Sequence, residues 1–105
     1  GQSRIHCEAL TAARVVLFEA SALSRAMMAD IAMARWGDAV LTQELVRRVD
    51  RELALATQPA KERLLALRAE KPGLEDRVPH HHLASYLGMT PVSLSRLRGQ
   101  LRRAE

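Results

Sequence analysis

The sequence predicts a mainly α protein in which a long dimerisation helix precedes a helix-turn-helix. Apolar residues recur every three or four positions over residues 39–56 and again over residues 83–101, which is the spacing of a helical face. The chain is 48% hydrophobic but only 3% aromatic, so its core must consist of Leu, Ala, Val and Met, which suits helices. A length of 105 residues allows one small domain or two very small units.

One segment near the N-terminus departs from helical spacing. Residues 13–19 (Ala-Arg-Val-Val-Leu-Phe-Glu) are rich in β-branched residues and predict the chain's one β-strand. A single strand leaves its backbone groups unpaired. It therefore either pairs with a second copy or belongs to the sheet of a longer protein, and the second arrangement is preferred.

Two helices are predicted in the next part of the chain. Ser21 or Ser24 can cap the first helix, and Gly37 is expected to end it. Asp38 would then cap a longer helix that runs to about Ala56.

The longer helix carries an apolar seam with the spacing of a two-stranded coiled coil. The seam comprises Ala39, Thr42, Val46, Val49, Leu53 and Ala56. Leu41 and Leu45 widen it on one side, which favours a homodimer. The alternative is that the seam packs against the preceding helix of its own chain.

A third helix is predicted over residues 59–70, because Pro59 breaks the chain and suits a helix start. Three leucines are expected to cover the module that follows: Leu64, Leu65 and Leu67. Residues 71–73 predict a turn, and Leu74 and Val78 are expected to anchor the loop beyond it.

The C-terminal third has the pattern of two short helices joined by a glycine turn. Leu83 and Leu87 share one face of the first helix, and Gly88 follows where a positive φ is least costly. Thr90 can cap the second helix, and Pro91 suits its first position, where no amide hydrogen is needed. This register predicts a helix-turn-helix.

The second helix of this motif has a buried and an outward face. Leu94, Leu97 and Leu101 are expected to be buried. At about 100° per residue, the outward face carries Val92, Arg96, Gly99, Gln100 and Arg103. A cationic outward face predicts insertion into the major groove of DNA. The alternative is a corner of an ordinary helical protein with solvated arginines.

Charge and composition limit the classes of function. The net charge is +4, and 14 of the 16 basic residues are Arg, whose planar fork suits phosphate and guanine. Cys7 is the single cysteine, which excludes an internal disulfide or thiolate cluster and suits a reducing cytoplasm. No apolar run is long enough for a membrane span, and no signal-peptide pattern is present.

No enzyme, metal site or cofactor is expected. Nothing in the sequence joins a nucleophile, a base and an oxyanion donor, and there is no glycine-rich phosphate loop. His80, His81 and His82 point in different directions on a helix and cannot all bind one ion. They are expected to be exposed, with phosphate contact as the alternative.

The order of these elements resembles the C-terminal half of a Crp/Fnr-type transcription regulator. The resemblance is carried by residues 61–65 (Lys-Glu-Arg-Leu-Leu), 84–91 (Ala-Ser-Tyr-Leu-Gly-Met-Thr-Pro) and 93–96 (Ser-Leu-Ser-Arg). Residues 3–11 look like the run into the last strand of the family's sensor β-roll.

The resemblance implies three regions and one base-reading residue. Residues 1–20 would be a remnant of the cyclic-nucleotide-binding-like roll, residues 21–57 the dimerisation region and residues 58–105 the DNA-binding domain. In the family an arginine near the middle of the recognition helix contacts a guanine, and Arg96 lies at the matching position.

This sequence also departs from the family. Pro91 and Val92 occupy positions where better-known members carry charged base readers, and no β-hairpin wing follows the last helix. The roll segments that form the effector pocket are absent, so no effector residues are assigned. An iron–sulfur variant would need several cysteines, and only Cys7 is present.

The expected function is sequence-specific regulation of transcription by a homodimer bound to double-stranded DNA. The expected DNA contacts are Thr90, Pro91, Val92, Ser93, Ser95, Arg96, Gln100, Arg102 and Arg103, with Arg98 as a further phosphate contact. The expected dimer contacts are Thr42, Val46, Val49, Leu53 and Ala56. The alternative, favoured by Pro91, Val92 and the absent wing, is a helical oligomerisation or protein-interaction module that has lost DNA binding.

Overall fold

A computed structural model describes residues 2–105, and these form six helices and no strand. The helices are α1 Ala20–Ala29, α2 Ile31–Thr57, α3 Ala60–Glu70, α4 Leu74–Arg77, α5 His80–Tyr86 and α6 Pro91–Ala104. The predicted mainly α class is confirmed. The chain divides into two compact units, one of residues 14–56 and the other of Thr57–Glu105 together with the first residues up to Ala13.

The N-terminal segment over residues 2–19 contains neither helix nor strand. The strand predicted over residues 13–19 is therefore not confirmed. The apolar side chains of this segment, such as Val16 and Leu17, are strongly exposed. A strand is stable only when a neighbouring strand takes up its backbone N–H and C=O groups, and residues 2–105 supply no such neighbour. Gly1, at the start of the predicted sensor-roll region, lies outside the described residues.

The boundary between α1 and α2 lies at Asp30, not at Gly37. Asp30 has extended backbone angles, and its Oδ1 accepts the backbone N–H of Ala32 at 2.9 Å. Its carbonyl accepts the N–H of Ala34 at 3.0 Å, so Asp30 is the N-cap of α2. The predictions that Gly37 ends one helix and that Asp38 begins the next are wrong, and α2 runs through both residues.

Gly37 allows close packing between α1 and α2. It is buried, and a Cβ built on it would lie 2.4 Å from Met27 Cε and 2.7 Å from Met27 Sδ. A side chain at residue 37 would therefore displace the thioether of Met27. Glycine inside a helix costs about 1 kcal/mol relative to alanine, but alanine at residue 37 would have to move Met27 out of this contact.

The second unit is built on a small leucine core. The core comprises Leu64, Leu67, Leu83, Ala84, Leu87 and Leu94. The predicted buried stripe of α6 is confirmed for Leu94 and in part for Leu97 and Leu101, which are half-buried against the core. Leu65 is 42% exposed, and the prediction that it covers the motif is wrong. It lies about 100° around α3 from Leu64, which turns it away from the core.

The segment between α3 and α5 is more regular than predicted. Residues 74–77 form the short helix α4, which follows Gly73 at a φ of 78°. Leu74 packs against the leucine core and Val78 is half-buried, as expected of anchoring residues. α4 thereby holds its acidic residue Glu75 between α3 and α6, where it forms ion pairs with both helices.

Candidate nucleic-acid interface

A tight turn joins α5 to α6. Gly88 has a φ of 69°, its N–H donates to the carbonyl of Ser85 at 3.1 Å, and the N–H of Met89 donates to the carbonyl of Ala84 at 3.0 Å. This pair of bonds is a Schellman motif, which satisfies the last carbonyls of a helix. The prediction that Gly88 ends the first motif helix with a positive φ is confirmed. Ala84 is fully buried at this point.

The start of α6 is held by a side-chain cap. The backbone N–H of Ser93 donates to Thr90 Oγ1 at 3.1 Å, and the hydroxyl of Thr90 donates to Ser93 Oγ at 2.9 Å. Pro91 occupies the first helical position, so the predicted cap and the predicted place of the proline are confirmed. The direction in which α6 leaves the turn is therefore defined within four residues.

The outward face of α6 is solvent-exposed. Arg96, Gln100 and Arg103 are exposed, Gly99 is half-buried, and the fully buried Leu94 lies on the opposite side of the helix. The remaining residues expected to contact DNA are also exposed: Thr90, Pro91, Val92, Ser93, Ser95 and Arg102. None of the ion pairs in residues 2–105 involves Arg96, Arg102 or Arg103.

Arg98 differs from the other arginines of α6 because it is engaged inside the unit. Its Nε donates to Glu75 Oε2 at 3.1 Å, and its Nη2 lies 3.0 Å from the same oxygen. The sequence predicts Arg98 as a phosphate contact, but its side chain is three-quarters buried and neutralised by this carboxylate. Three arginines of α6, not four, remain available to an external anion.

Glu75 also binds Arg68 of α3. Arg68 Nε donates to Glu75 Oε1, and Arg68 Nη2 donates to Glu75 Oε2 at 3.3 Å. The hydrogen bond from Arg68 and the nearby charges of Arg68 and Arg98 hold the pKa of Glu75 below its ordinary value of 4.5, against the opposing effect of burial. The same hydrogen bond raises the pKa of Arg68. One carboxylate on α4 thus joins α3 to α6.

His80 connects α5 to α6. Its Nε2 lies 2.8 Å from the carbonyl oxygen of Pro91, and its Nδ1 lies 3.0 Å from Arg98 Nη1. A guanidinium only donates hydrogen bonds. Nδ1 is therefore the acceptor, and Nε2 carries the proton that is donated to Pro91. The prediction that all three histidines are simply exposed is wrong for His80 and His82, which are half-buried, and holds for His81.

Arg63 of α3 is a further residue that sequence reasoning missed. Its Nε donates to the carbonyl of Leu87 at 2.9 Å, and its Nη1 donates to the carbonyl of Gln58. It thereby binds a carbonyl of the α5–α6 turn together with one that lies two residues before α3. Arg63 contributes to the family resemblance only as part of residues 61–65, and no local pattern indicates a contact across 24 residues.

Replacing Glu75 with glutamine is expected to reduce the stability of this unit near neutral pH by about 1–3 kcal/mol, because charge-assisted hydrogen bonds to two arginines are lost. A carboxyl with a lowered pKa in the folded state stabilises at pH values above its unfolded pKa, and the contribution disappears as pH falls through the folded pKa. Urea unfolding at several pH values should therefore show the two proteins converging at acid pH. The exposed Glu62→Gln is the control, and an unchanged pH slope in Glu75→Gln would contradict this role.

Other kinds of site find no support in the described residues. In residues 2–105, no cluster of His, Cys, Asp and Glu side chains could hold a metal ion. No helix in the same range has the length and apolar character needed to cross a membrane. No family model matches the chain, and neither a curated protein nor a solved structure matches it.

Proposed function

We propose that the chain is a sequence-specific DNA-binding transcription regulator of the Crp/Fnr type that acts as a homodimer in the cytoplasm. In this proposal α5 and α6 form a helix-turn-helix, and residues 1–20 are the end of a sensor β-roll. The observation that carries the proposal is the exposed cationic face of α6, on which Arg96, Arg102 and Arg103 have no ion pair within residues 2–105.

Two sides of α6 would have different roles on DNA. Val92, Arg96 and Gln100 follow one another at about 40° steps and together span about 80° of the helix surface. Arg96 can bind the O6 and N7 of guanine with two hydrogen bonds, and Val92 can contact a thymine methyl group. Arg102 and Ser95 lie about 100–120° around the helix from Arg96 on one flank, where phosphate oxygens are the natural partners.

The seam of α2 supports a homodimer. Val46, Val49 and Leu53 are 53%, 45% and 56% exposed, although they are apolar and share one helix face. Gly37, which marks the side of α2 that receives α1, lies about 140° around the helix from Thr42 in the seam. α1 of the same chain therefore packs away from the seam, which argues against the alternative arrangement.

Charged residues lie on the side of α2 opposite the seam, where Glu44 forms surface ion pairs with Arg47 at 3.5 Å and with Arg48 at 3.3 Å. The seam runs from Ala39 to Ala56 of α2, so it is about 27 Å long and offers about two and a half heptads to a second copy. Two recognition helices held by such a dimer would enter successive major grooves about 34 Å apart.

The second candidate is a helical oligomerisation or protein-interaction module. It is favoured by the exposed apolar residues of the N-terminal segment, such as Leu17, and by the 60% exposed Val92 at a base-reading position. The two candidates differ in their behaviour with duplex DNA. A regulator should bind random-sequence duplexes with an affinity that falls strongly as the salt concentration rises. An interaction module should not bind these duplexes even at low salt.

Arg96→Ala and Arg102→Ala are expected to have different effects. Loss of Arg96 should cost about 1–3 kcal/mol on a selected duplex and reduce discrimination, because a base contact is removed. Loss of Arg102 should weaken binding to all sequences and lower the salt slope by about one. Fluorescence anisotropy with duplexes selected from a random pool, and with the pool itself, measures both. An equal loss on both duplexes for Arg96→Ala would contradict its role as base reader.

A further inference from the structure

We propose that His80 is a positioning residue of the DNA-binding face, which holds α6 on α5 in a way that depends on its own protonation. This inference rests on the proposed DNA-binding function. His80 is the first residue of α5, and both of its ring nitrogens bind α6, one at Pro91 and one at Arg98. It therefore contacts the recognition helix at its first residue and again two turns further along.

The neutral imidazole suits both contacts. The carbonyl of Pro91 needs a donor, which Nε2–H supplies at 2.8 Å, and the guanidinium of Arg98 needs an acceptor, which Nδ1 supplies at 3.0 Å. A second proton on Nδ1 would place a donor against a donor and a positive charge against Arg98. The bond to Pro91 would survive, whereas the bond to Arg98 would be lost.

The charged groups around His80 cannot compensate for an added proton on its ring. Arg98 is bound on its other side by Glu75, which is shared with Arg68, so one carboxylate already serves two arginines. A third cation at His80 adds positive charge that Glu75 cannot also neutralise. On α5 itself, the rings of His81 and His82 pack against each other at 4.1 Å and are the other titratable groups nearby.

Protonation of His80 should alter DNA recognition in two ways. Added positive charge beside α6 strengthens binding to phosphates whatever the sequence. Loss of the hydrogen bond between His80 and Arg98 makes the position of α6 on α5 less well fixed. Base readout depends on a fixed position of the recognition helix, so it should become less specific. Discrimination between sequences is therefore expected to be lower in weakly acidic than in weakly alkaline buffer, because histidine is the side chain suited to a change of charge in that interval.

The test compares wild type, His80→Gln and the matched control His81→Gln. Glutamine can still donate a hydrogen bond to the carbonyl of Pro91, but it does not place an acceptor where Nδ1 stands. The readout is the ratio of affinities for a selected duplex and for the random pool, at about pH 8 and about pH 6. For wild type and His81→Gln we expect this ratio to fall about two- to tenfold at the lower pH, the effect of one hydrogen bond. For His80→Gln it should be low at both pH values.

A second measurement does not require DNA or a variant. Nitrogen NMR of the free wild-type protein should show the proton of neutral His80 on Nε2, and the Arg98 guanidinium signals should shift with the titration of His80. A proton on Nδ1, or a His80→Gln protein with the pH profile of wild type, would overturn the proposal while DNA binding itself stands. If wild type binds no duplex at either pH, the proposed function fails, and the positioning role fails with it.

Discussion

Replacing Val46 and Val49 with glutamate is expected to convert the protein to a monomer and to weaken its binding to a selected duplex by about 100-fold or more. The two valines lie on the seam of α2 and are about half exposed in the single chain. Burying two carboxylates opposite their own copies in a dimer is costly, because the charges lose water and repel each other. A monomer holds one recognition helix and loses the gain that comes from binding two half-sites at once.

Sedimentation equilibrium and anisotropy measured on the same samples test this prediction. A matched control is Gln43→Glu with Arg47→Gln, which changes the net charge equally but lies outside the seam. The control should remain dimeric and bind DNA with at most a modest loss. A Val46→Glu, Val49→Glu protein that stays dimeric would show that copies associate elsewhere, and a monomer with undiminished affinity would contradict binding as a dimer.

Leu94→Ala is expected to destabilise the unit of residues 57–105 by about 2–5 kcal/mol, which is a large part of the stability of a small domain. Leu94 is fully buried and is one of only six buried hydrophobic residues in the core. The cavity left by its side chain would lie between α6 and the helices beneath it. DNA binding should fall together with the folded fraction, since the face that carries Arg96 depends on this contact.

Leu65→Ala is the matched control for Leu94→Ala. It removes the same atoms from the same unit, but Leu65 is 42% exposed on α3. Urea unfolding, followed by circular dichroism, should give a loss well below that of Leu94→Ala, since the transfer free energy scales with the apolar area that is buried. Equal losses in the two variants would mean that the leucine core described above is not what holds α6 in place.

Local signals in the sequence were sufficient to predict the turn between α5 and α6. Gly88 has the positive φ expected of it, Thr90 caps α6 through Ser93, and Pro91 is the first helical residue. Each of these features depends on sterics or hydrogen bonds within about five residues. The same holds for the alternation of buried and exposed positions along α6, which follows from helical spacing once the start of the helix is known.

Two local signals were misleading because their outcome depends on a packing partner. Gly37 has the chemistry of a helix end, yet it lies inside α2, where Met27 of α1 needs the space of a missing Cβ. Asp30 and Asp38 are equally able to cap a helix, and Asp30 does so. Residues 13–19 have the composition of a strand but no neighbouring strand in the described chain, so their preference is not realised.

The arginines of α6 show where sequence reasoning reaches its limit. Composition and spacing place four arginines on this helix and predict which of them point outward, because both follow from covalent order and helical geometry. Which arginine is held inside the unit is determined by the Glu75 carboxylate and by the ring of His80, which lie 23 and 18 residues from Arg98. Those contacts form when α4 and α5 pack against α6, and no short-range pattern encodes them. The chain's order thus defines the outward face of α6, whereas packing between distant segments leaves Arg96, Arg102 and Arg103 as its exposed arginines outside the ion pairs of residues 2–105.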